Sequence, residues 1–213
     1  HEIDEYAAEL IEKRGAKSAD LGYRGYPANI CVSVNEEVVH GIPSKRKLVE
    51  GDIVSLDVTV VKNGFFADAA ETCVVHANDI PDDVKTLVKV TEESLYRGIA
   101  AAIIGNRVGD ISHTIQEYVE KHGFSVIRDF IGHGIGLSMH EEPAVPNFGD
   151  PGKGVRLKEG MVLAIEPMVG MGGPEVDILS DGWTVVMRDT KPAAHFEHTV
   201  AITKQGPKIL TQL

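Results

Sequence analysis

Two cysteines in 213 residues are too few for a disulfide framework, and Cys31 and Cys73 lack zinc-finger spacing. Basic residues are also scarce: 21 Lys and Arg against 32 Asp and Glu give a formal net charge of −11. That balance argues against DNA or other nucleic acid as the main partner, because phosphate binding needs a basic surface. No apolar run approaches the roughly 18 residues of a membrane span, and no signal-peptide pattern is present, so the reading is a cytoplasmic protein without a membrane partner. The glycine-rich stretches "GHGIG" and "GDPGKGV" fail as dinucleotide and phosphate loops: the spacing is wrong, and Gly154 stands where Ser or Thr is required. "HEEP" is not the zinc signature HExxH, since Ala144 occupies the place of the second histidine. The chain starts at His1 directly on a helical pattern, and something is expected to be missing in front of it.

What remains is an ordinary globular composition, 43% hydrophobic and 25% charged, read as one domain over residues 1–213. Ile3, Tyr6, Ala7, Leu10 and Ile11 follow helical spacing over residues 2–14, ending near Gly15. Val84, Leu87, Val88, Leu95, Ile99 and Ile103 mark a longer helix from Pro81 to near Gly105. Ile111, Ile115, Tyr118, Val119 and His122 mark a third, closed by Gly123. Between them lie β-rich stretches: "ICVSVN", "DIVSLDVTVV", "FFADAAETCVV", "SVIRDFIGHGIG", "MVLAIEPMV", "WTVVMR" and "FEHTVAIT". This segregation predicts an α+β fold, with helices packed on one face of a mostly antiparallel sheet.

Three short matches recur in the same order. "IEKRG" (11–15) parallels "VEKHG" (119–123), "HGIP" at His40 parallels "HEEP" at His140, and "LVEGDIVSLD" (48–57) parallels "LKEGMVLAIE" (157–166). They argue for two related α/β halves meeting at a shared site. The helix at 81–103 has no counterpart in the first half, which begins at its short helix; a surface there is expected to be uncovered.

The stretch "SLDVTVVKNGFFAD" reads as a hairpin turning at Asn63-Gly64. Lys62 then faces Phe65, Thr59 faces Asp68 and Asp57 faces Ala70, so the two acids share a sheet face as diagonal neighbours, about 7–8 Å apart at the backbone. Ionised carboxylates that close among apolar residues repel unless a cation lies between them; a shared proton or an open, wet face are the alternatives. Glu166 inside "MVLAIEPMV", Glu197 in "HFEHTVAI" and His133 in "GHGIG" join the candidates, the glycines around His133 allowing close backbone approach. Four carboxylates and one imidazole suit a pair of divalent ions such as Mn, Fe, Co or Zn. Such centres, with ions about 3.5–4 Å apart, hydrolyse amides and phosphate esters. His76, His113 and His122 read as ordinary surface or core histidines, and His195 and His198 nearly so.

Together, "YPANICVSVNEEVVHGIP", "SLDVTVVKNGFFAD", "GHGIGLSMHEEP", "LAIEPMV", "DGWTVV" and "FEHT" resemble the type I methionine aminopeptidases, over nearly the entire chain. The resemblance implies the pita-bread fold, two pseudo-symmetric halves with a curved, mostly antiparallel sheet covered by helices. It implies that Asp57 binds one metal, that Asp68 and Glu197 bridge both, and that His133 and Glu166 complete the other. Glu166 is implied to be the general base, His140 to contact the scissile amide and His40 to lie beside the substrate. Tyr23, Tyr26, Cys31, Met139 and Trp183 would line the methionine pocket. N-terminal methionine peptides and nascent chains, met at the ribosome, are the implied partners of a monomeric enzyme preferring a small second residue. Two departures bear on the pocket: Asp20 stands where a small or uncharged residue is expected, and Met139 where an aromatic is common. No long insertion separates Glu166 from Glu197, which sets the chain apart from the type II branch. The usual first helix of the fold is expected to be absent from residues 1–213.

Three other readings compete. A prolidase or Xaa-Pro aminopeptidase shares the five ligands but usually carries an additional N-terminal domain. A non-catalytic pita-bread module would lose ligands, and a two-metal phosphoesterase would need a basic phosphate clamp.

Overall fold

The computed structural model describes residues 1–76 and 80–212. Three helices, α1 (Glu2–Lys13), α2 (Asp82–Ala101) and α3 (Val108–Lys121), follow the expected spans within a few residues. Gly15 and Gly123, with φ of +67° and +83°, follow the ends of α1 and α3 in left-handed conformations that side chains disfavour. Ile103 lies beyond α2 and is 41% exposed, so the apolar spacing runs two residues past the helix.

Nine strands form one sheet whose ladders are all antiparallel. It contains the hairpin Ile53–Lys62 and Phe65–Val74, in the expected register: Lys62 opposite Phe65, Thr59 opposite Asp68, Asp57 opposite Ala70. Asn63 and Gly64 both have positive φ, 54° and 82°, as a type I′ turn requires.

The repeat in the sequence is a repeat in the sheet. Lys17–Ser18 and Cys31–Val34 lie one after the other along one edge of the strand Ile53–Lys62, whose other edge pairs with Phe65–Val74. In the second half, Gly132–Gly134 pairs with Val162–Ile165, which pairs onward with Glu197–Thr203. Ser125–Val126, the counterpart of Lys17–Ser18, pairs with Met168–Gly170 beyond a break at Glu166-Pro167. The halves join where Phe65–Val74 meets Glu197–Thr203, with Ala70 opposite Glu197.

Helices α2 and α3 bury Leu87, Leu95, Ile111 and Ile115 against Leu163, Ile165, Val200 and Ile202. Each fully buried aliphatic side chain contributes about 1.5–3 kcal/mol. Helix α1 sets Ile11 against Ile30, Val32, Val34 and Val54. Its Asp4 carboxylate accepts from the backbone N–H groups of Asn29 and Ile30 at 2.7 and 3.2 Å, fixing the approach to Cys31.

"SVIRDFIGHGIG" is not one strand but two short ones, Ser125–Val126 and Gly132–Gly134. The glycines explain how the second seats His133. A Cβ on Gly132 would lie 2.4 Å from the Ala164 carbonyl oxygen, and one on Gly134 would lie 2.3 Å from that of Glu142. Gly132→Ala is therefore expected to push the His133 strand off its neighbour. It should cost about 1–3 kcal/mol in denaturant unfolding and weaken divalent-ion binding together. Unchanged ion affinity would show that His133 does not depend on this close approach.

Candidate metal centre

One register row crosses the sheet and carries most of the site. Cys31 pairs with Asp57, Asp57 with Ala70, and Ala70 with Glu197. The next ladder pairs His198 with Ile165, so continuing it by one residue sets Glu166 across from Glu197. Paired residues project to the same side of a sheet, so Asp57, Glu197 and Glu166 converge, with small Ala70 leaving room between the first two. Asp68 lies two residues from Ala70 on the same face. Pro167 cannot donate to a ladder, and the Glu166 strand ends here.

Neighbouring groups hold these side chains. Thr199 Oγ1 accepts from the Asp68 N–H and donates to the Asp68 carbonyl, both at 2.8 Å. Buried Asn147 donates to the Glu166 carbonyl at 3.0 Å. His133 Nδ1 lies 2.8 Å from the Gly134 carbonyl, which can only accept. Nδ1 therefore carries the proton and Nε2, 3.5 Å from Glu166 Oε1, keeps its lone pair for a ligand. Neither Thr199 nor Asn147 carried a signal in the sequence, because their roles are set by pairing across the seam.

All twelve residues assigned from the sequence line one cavity of about 390 Å³: Tyr23, Tyr26, Cys31, His40, Asp57, Asp68, His133, Met139, His140, Glu166, Trp183 and Glu197. Asp20, Arg24, Thr59, Phe130 and Ile131 line it as well. His195 is the residue whose surroundings the sequence reading missed. It is 1% exposed, its Nε2 lies 3.9 Å from Glu166 Oε2, and neither ring nitrogen has a hydrogen-bond partner among the described residues.

Burial first, then mutual repulsion, pushes Asp57, Glu166 and Glu197 well above the usual carboxylate range. Asp20 is pushed to about 7 by burial and by Asp68. Asp68 is raised by burial, offset in part by hydrogen bonds from Thr59 and Asp57. Asp68 and Glu197 are buried while Asp57 and Glu166 are partly exposed at the cavity, so the acids form a confined cluster, and without a cation burial and mutual repulsion favour their protonated forms.

The donor set fits divalent ions. Buried Asp68 Oδ1 and Glu197 Oε1 have no partner among the described groups. Asp68, His133 and Glu197 offer donor atoms within 4.8 Å of one another, as do Glu166, His195 and Glu197. Glu197 belongs to both trios; Asp57 belongs to neither and meets the group through Asp68.

His40 and His140 are neutral at pH 7. Burial lowers His40, and burial with neighbouring His133 takes His140 to about 4. The Tyr23 hydroxyl lies 3.0 Å from His140 Nδ1, and the His40 ring sits edge-on to Phe130 and Trp183. His40 has φ of +58°, a strained conformation for a residue with a Cβ. The Tyr26 hydroxyl donates to the Gly41 carbonyl at 2.8 Å, turning its ring toward the slot, where it meets the Trp183 edge at 5.1 Å. Burial keeps the Cys31 thiol protonated, so it lines the slot and is not a nucleophile.

Residues 1–204 match metallopeptidase family M24. A methionine aminopeptidase of Clostridium perfringens is 54% identical over 210 residues, 99% of this chain and 84% of that protein. The crystal structure of a methionine aminopeptidase from Thermotoga maritima superposes with a TM-score of 0.97 at 50% identity, covering 100% of this chain and 85% of that one. A prolidase from Pyrococcus horikoshii shares the fold alone, at 22% identity and a TM-score of 0.76, over 99% of this chain and 53% of that one. The fold is the pita-bread fold of these enzymes. Among the described residues no helix is long and apolar enough to cross a membrane.

The raised acids make stability depend on pH in a definite direction. An acid raised in the fold favours the folded state at low pH, and that contribution is lost as pH climbs through its folded value. His140, lowered to about 4, His195, lowered to about 3, and His40 and His198, also lowered by burial, act oppositely, and their effect is complete about one pH unit above imidazole's ordinary 6.5. From about pH 7.5 upward the carboxylates set the slope, at about 1.4 kcal/mol per pH unit for each proton that differs. Chelator-treated protein is expected to melt at progressively lower temperature across that range, and added divalent ion to flatten the trend. A metal-free melting temperature that rises with pH there would contradict the raised carboxylates.

Proposed function

The chain belongs to metallopeptidase family M24, and from that premise we propose that it is a methionyl aminopeptidase. In this reading two divalent ions lie in the cavity, and the enzyme removes N-terminal methionine from peptides and nascent chains, preferring a small second residue. It acts as a monomer, in the cytoplasm and near the ribosome. The observation that carries the activity is the joining, in one cavity, of an oxygen-rich ligand group, neutral histidines and an apolar slot.

Asp57, Asp68, His133, Glu166 and Glu197 would hold the ions, with Asp68 and Glu197 shared between them. Bound there, the ions supply an acidified water and polarise the scissile carbonyl. Glu166, whose proton affinity burial raises, is suited to take the water's proton and return it to the leaving nitrogen. If Tyr23 donates to His140 Nδ1, the neutral ring keeps its N–H on Nε2, free to donate to the oxygen or nitrogen of the amide under attack. His40, braced by Phe130 and Trp183, would flank the substrate backbone. Tyr23, Tyr26, Cys31, Met139 and Trp183 would line a soft slot that suits a thioether.

Cleavage of Met-Ala-Ser but not Ala-Pro-Ser by the metal-loaded protein would support this reading over a prolidase-type one, and no cleavage of either would leave a binding module. Asp68→Asn and Glu197→Gln are expected to fold, lose ion binding and lose activity; full activity in either would remove the two-ion scheme. His140→Ala should keep its ions while turnover drops about 10²–10⁴-fold. Loss of ions from that variant would make His140 a ligand instead.

Asp20 adds a pH effect on substrate binding. Its Oδ2 accepts the Thr59 N–H at 3.2 Å, and its carboxyl borders the apolar slot. An apolar side chain entering the slot must desolvate this group, which costs more once it is ionised. KM for methionyl peptides is therefore expected to rise with pH through the Asp20 transition, at or below about 7 because bound cations pull it down. Asp20→Asn should lower KM and flatten the rise. An unchanged profile would put Asp20 out of contact with the substrate.

A further inference from the structure

Glu166 lies between two imidazoles. Its Oε1 is 3.5 Å from His133 Nε2, and its Oε2 is 3.9 Å from His195 Nε2. His133 lines the cavity; His195 does not, and so reaches Glu166 from within the protein. Its position is tightly fixed. His195 pairs with Met168, and Thr72 Oγ1 both accepts its N–H at 2.9 Å and donates to its carbonyl at 2.6 Å.

Both ring nitrogens of His195 are buried and unpartnered among the described residues, a desolvation cost that an apolar residue would avoid. We propose that His195 is a positioning residue for Glu166, donating from Nε2–H to the carboxylate and fixing which oxygen faces the ions. The separation exceeds a hydrogen bond by less than about 1 Å, and the terminal torsion of a glutamate is soft enough to close it.

Direct ligation of an ion by His195 is the other way to use the ring, and the surroundings disfavour it. Ligating histidines donate their second N–H to a fixed acceptor. His133 has one in the Gly134 carbonyl, whereas His195 Nδ1 has none among the described residues. With the proton on Nε2 only an acceptor is left unmet, and the N–H faces a carboxylate.

The inference rests on the two-ion reading, and one titration separates the two. Wild type, His195→Phe and His195→Gln would be stripped with chelator and titrated calorimetrically with Mn or Co, with metal-free thermal midpoints recorded alongside. His195→Phe, which keeps the ring volume, is expected to weaken one ion about 10–100-fold without lowering the metal-free midpoint. His195→Gln, whose amide can donate to the same carboxylate, should recover most of that loss. Two ions bound by His195→Phe as tightly as by wild type would overturn the His195 role alone. Failure of His195→Gln to recover, with a changed visible spectrum of its Co form, would make the residue a ligand and also overturn it. A wild-type chain that binds no ion would overturn the two-ion reading and this role with it.

Discussion

The structure depends on one electrostatic constraint: a single hydrogen-bonded row brings like charges together and buries them. Asp57, Ala70, Glu197 and Glu166 follow one another across the central strands, with Asp68 two residues away on the same face. Two ionised carboxylates about 4 Å apart repel by about 4 kcal/mol at the effective dielectric of a protein surface, and more as water is removed. The fold can answer with protons, and the raised carboxylates are that answer. Cations are the better one, since each neutralises several carboxylates and satisfies oxygen atoms left unpartnered among the described residues. Ion binding and fold stability are therefore linked: whatever binds the folded site and not the unfolded chain stabilises the fold by mass action.

The same row explains why the site lies on a seam. Each half of the repeat builds a similar set of antiparallel strands, and neither holds the full ligand group. Asp57 and Asp68 come from the first half, His133, Glu166 and Glu197 from the second, and the pairing of Ala70 with Glu197 brings them together. Thr199 reinforces the join, because its hydroxyl occupies both backbone polar groups of Asp68 across the boundary. A slip of one residue at this seam would turn every ligand on one strand away from the cavity, so register there is a functional requirement.

The hairpin was legible in the sequence because two signals agreed: an Asn-Gly turn, and β-branched and aromatic runs on either side of it. The ligands followed, since acids inside apolar strands need a reason to be there. Short strands such as Glu37–Val39, Glu141–Val145 and Ala193–His195 were not legible, because three to five residues cannot display a period and their pairing is imposed by tertiary contacts. His195 shows what that costs. In "HFEH" it reads like its neighbour His198, which pairs with Thr211 at 2.9 Å and Tyr96 at 3.4 Å. Only the pairing of His195 with Met168 and its clasp by Thr72 set it behind Glu166.

Three histidines on the cavity and one behind it thus carry different chemistry, and the difference lies in what each ring nitrogen meets. His133 gives its Nδ1 proton to the Gly134 carbonyl and so presents a lone pair. His140 meets the Tyr23 hydroxyl at Nδ1, which favours the tautomer that presents an N–H. His40 is held by aromatic edges and stays neutral through burial. His195 has no hydrogen-bond partner at either nitrogen among the described residues and faces a carboxylate, which favours a proton on Nε2. Residue type alone could not have divided these roles: the backbone carbonyl, the phenol, the aromatic edges and the carboxylate do so, and each is supplied by a different segment of the chain.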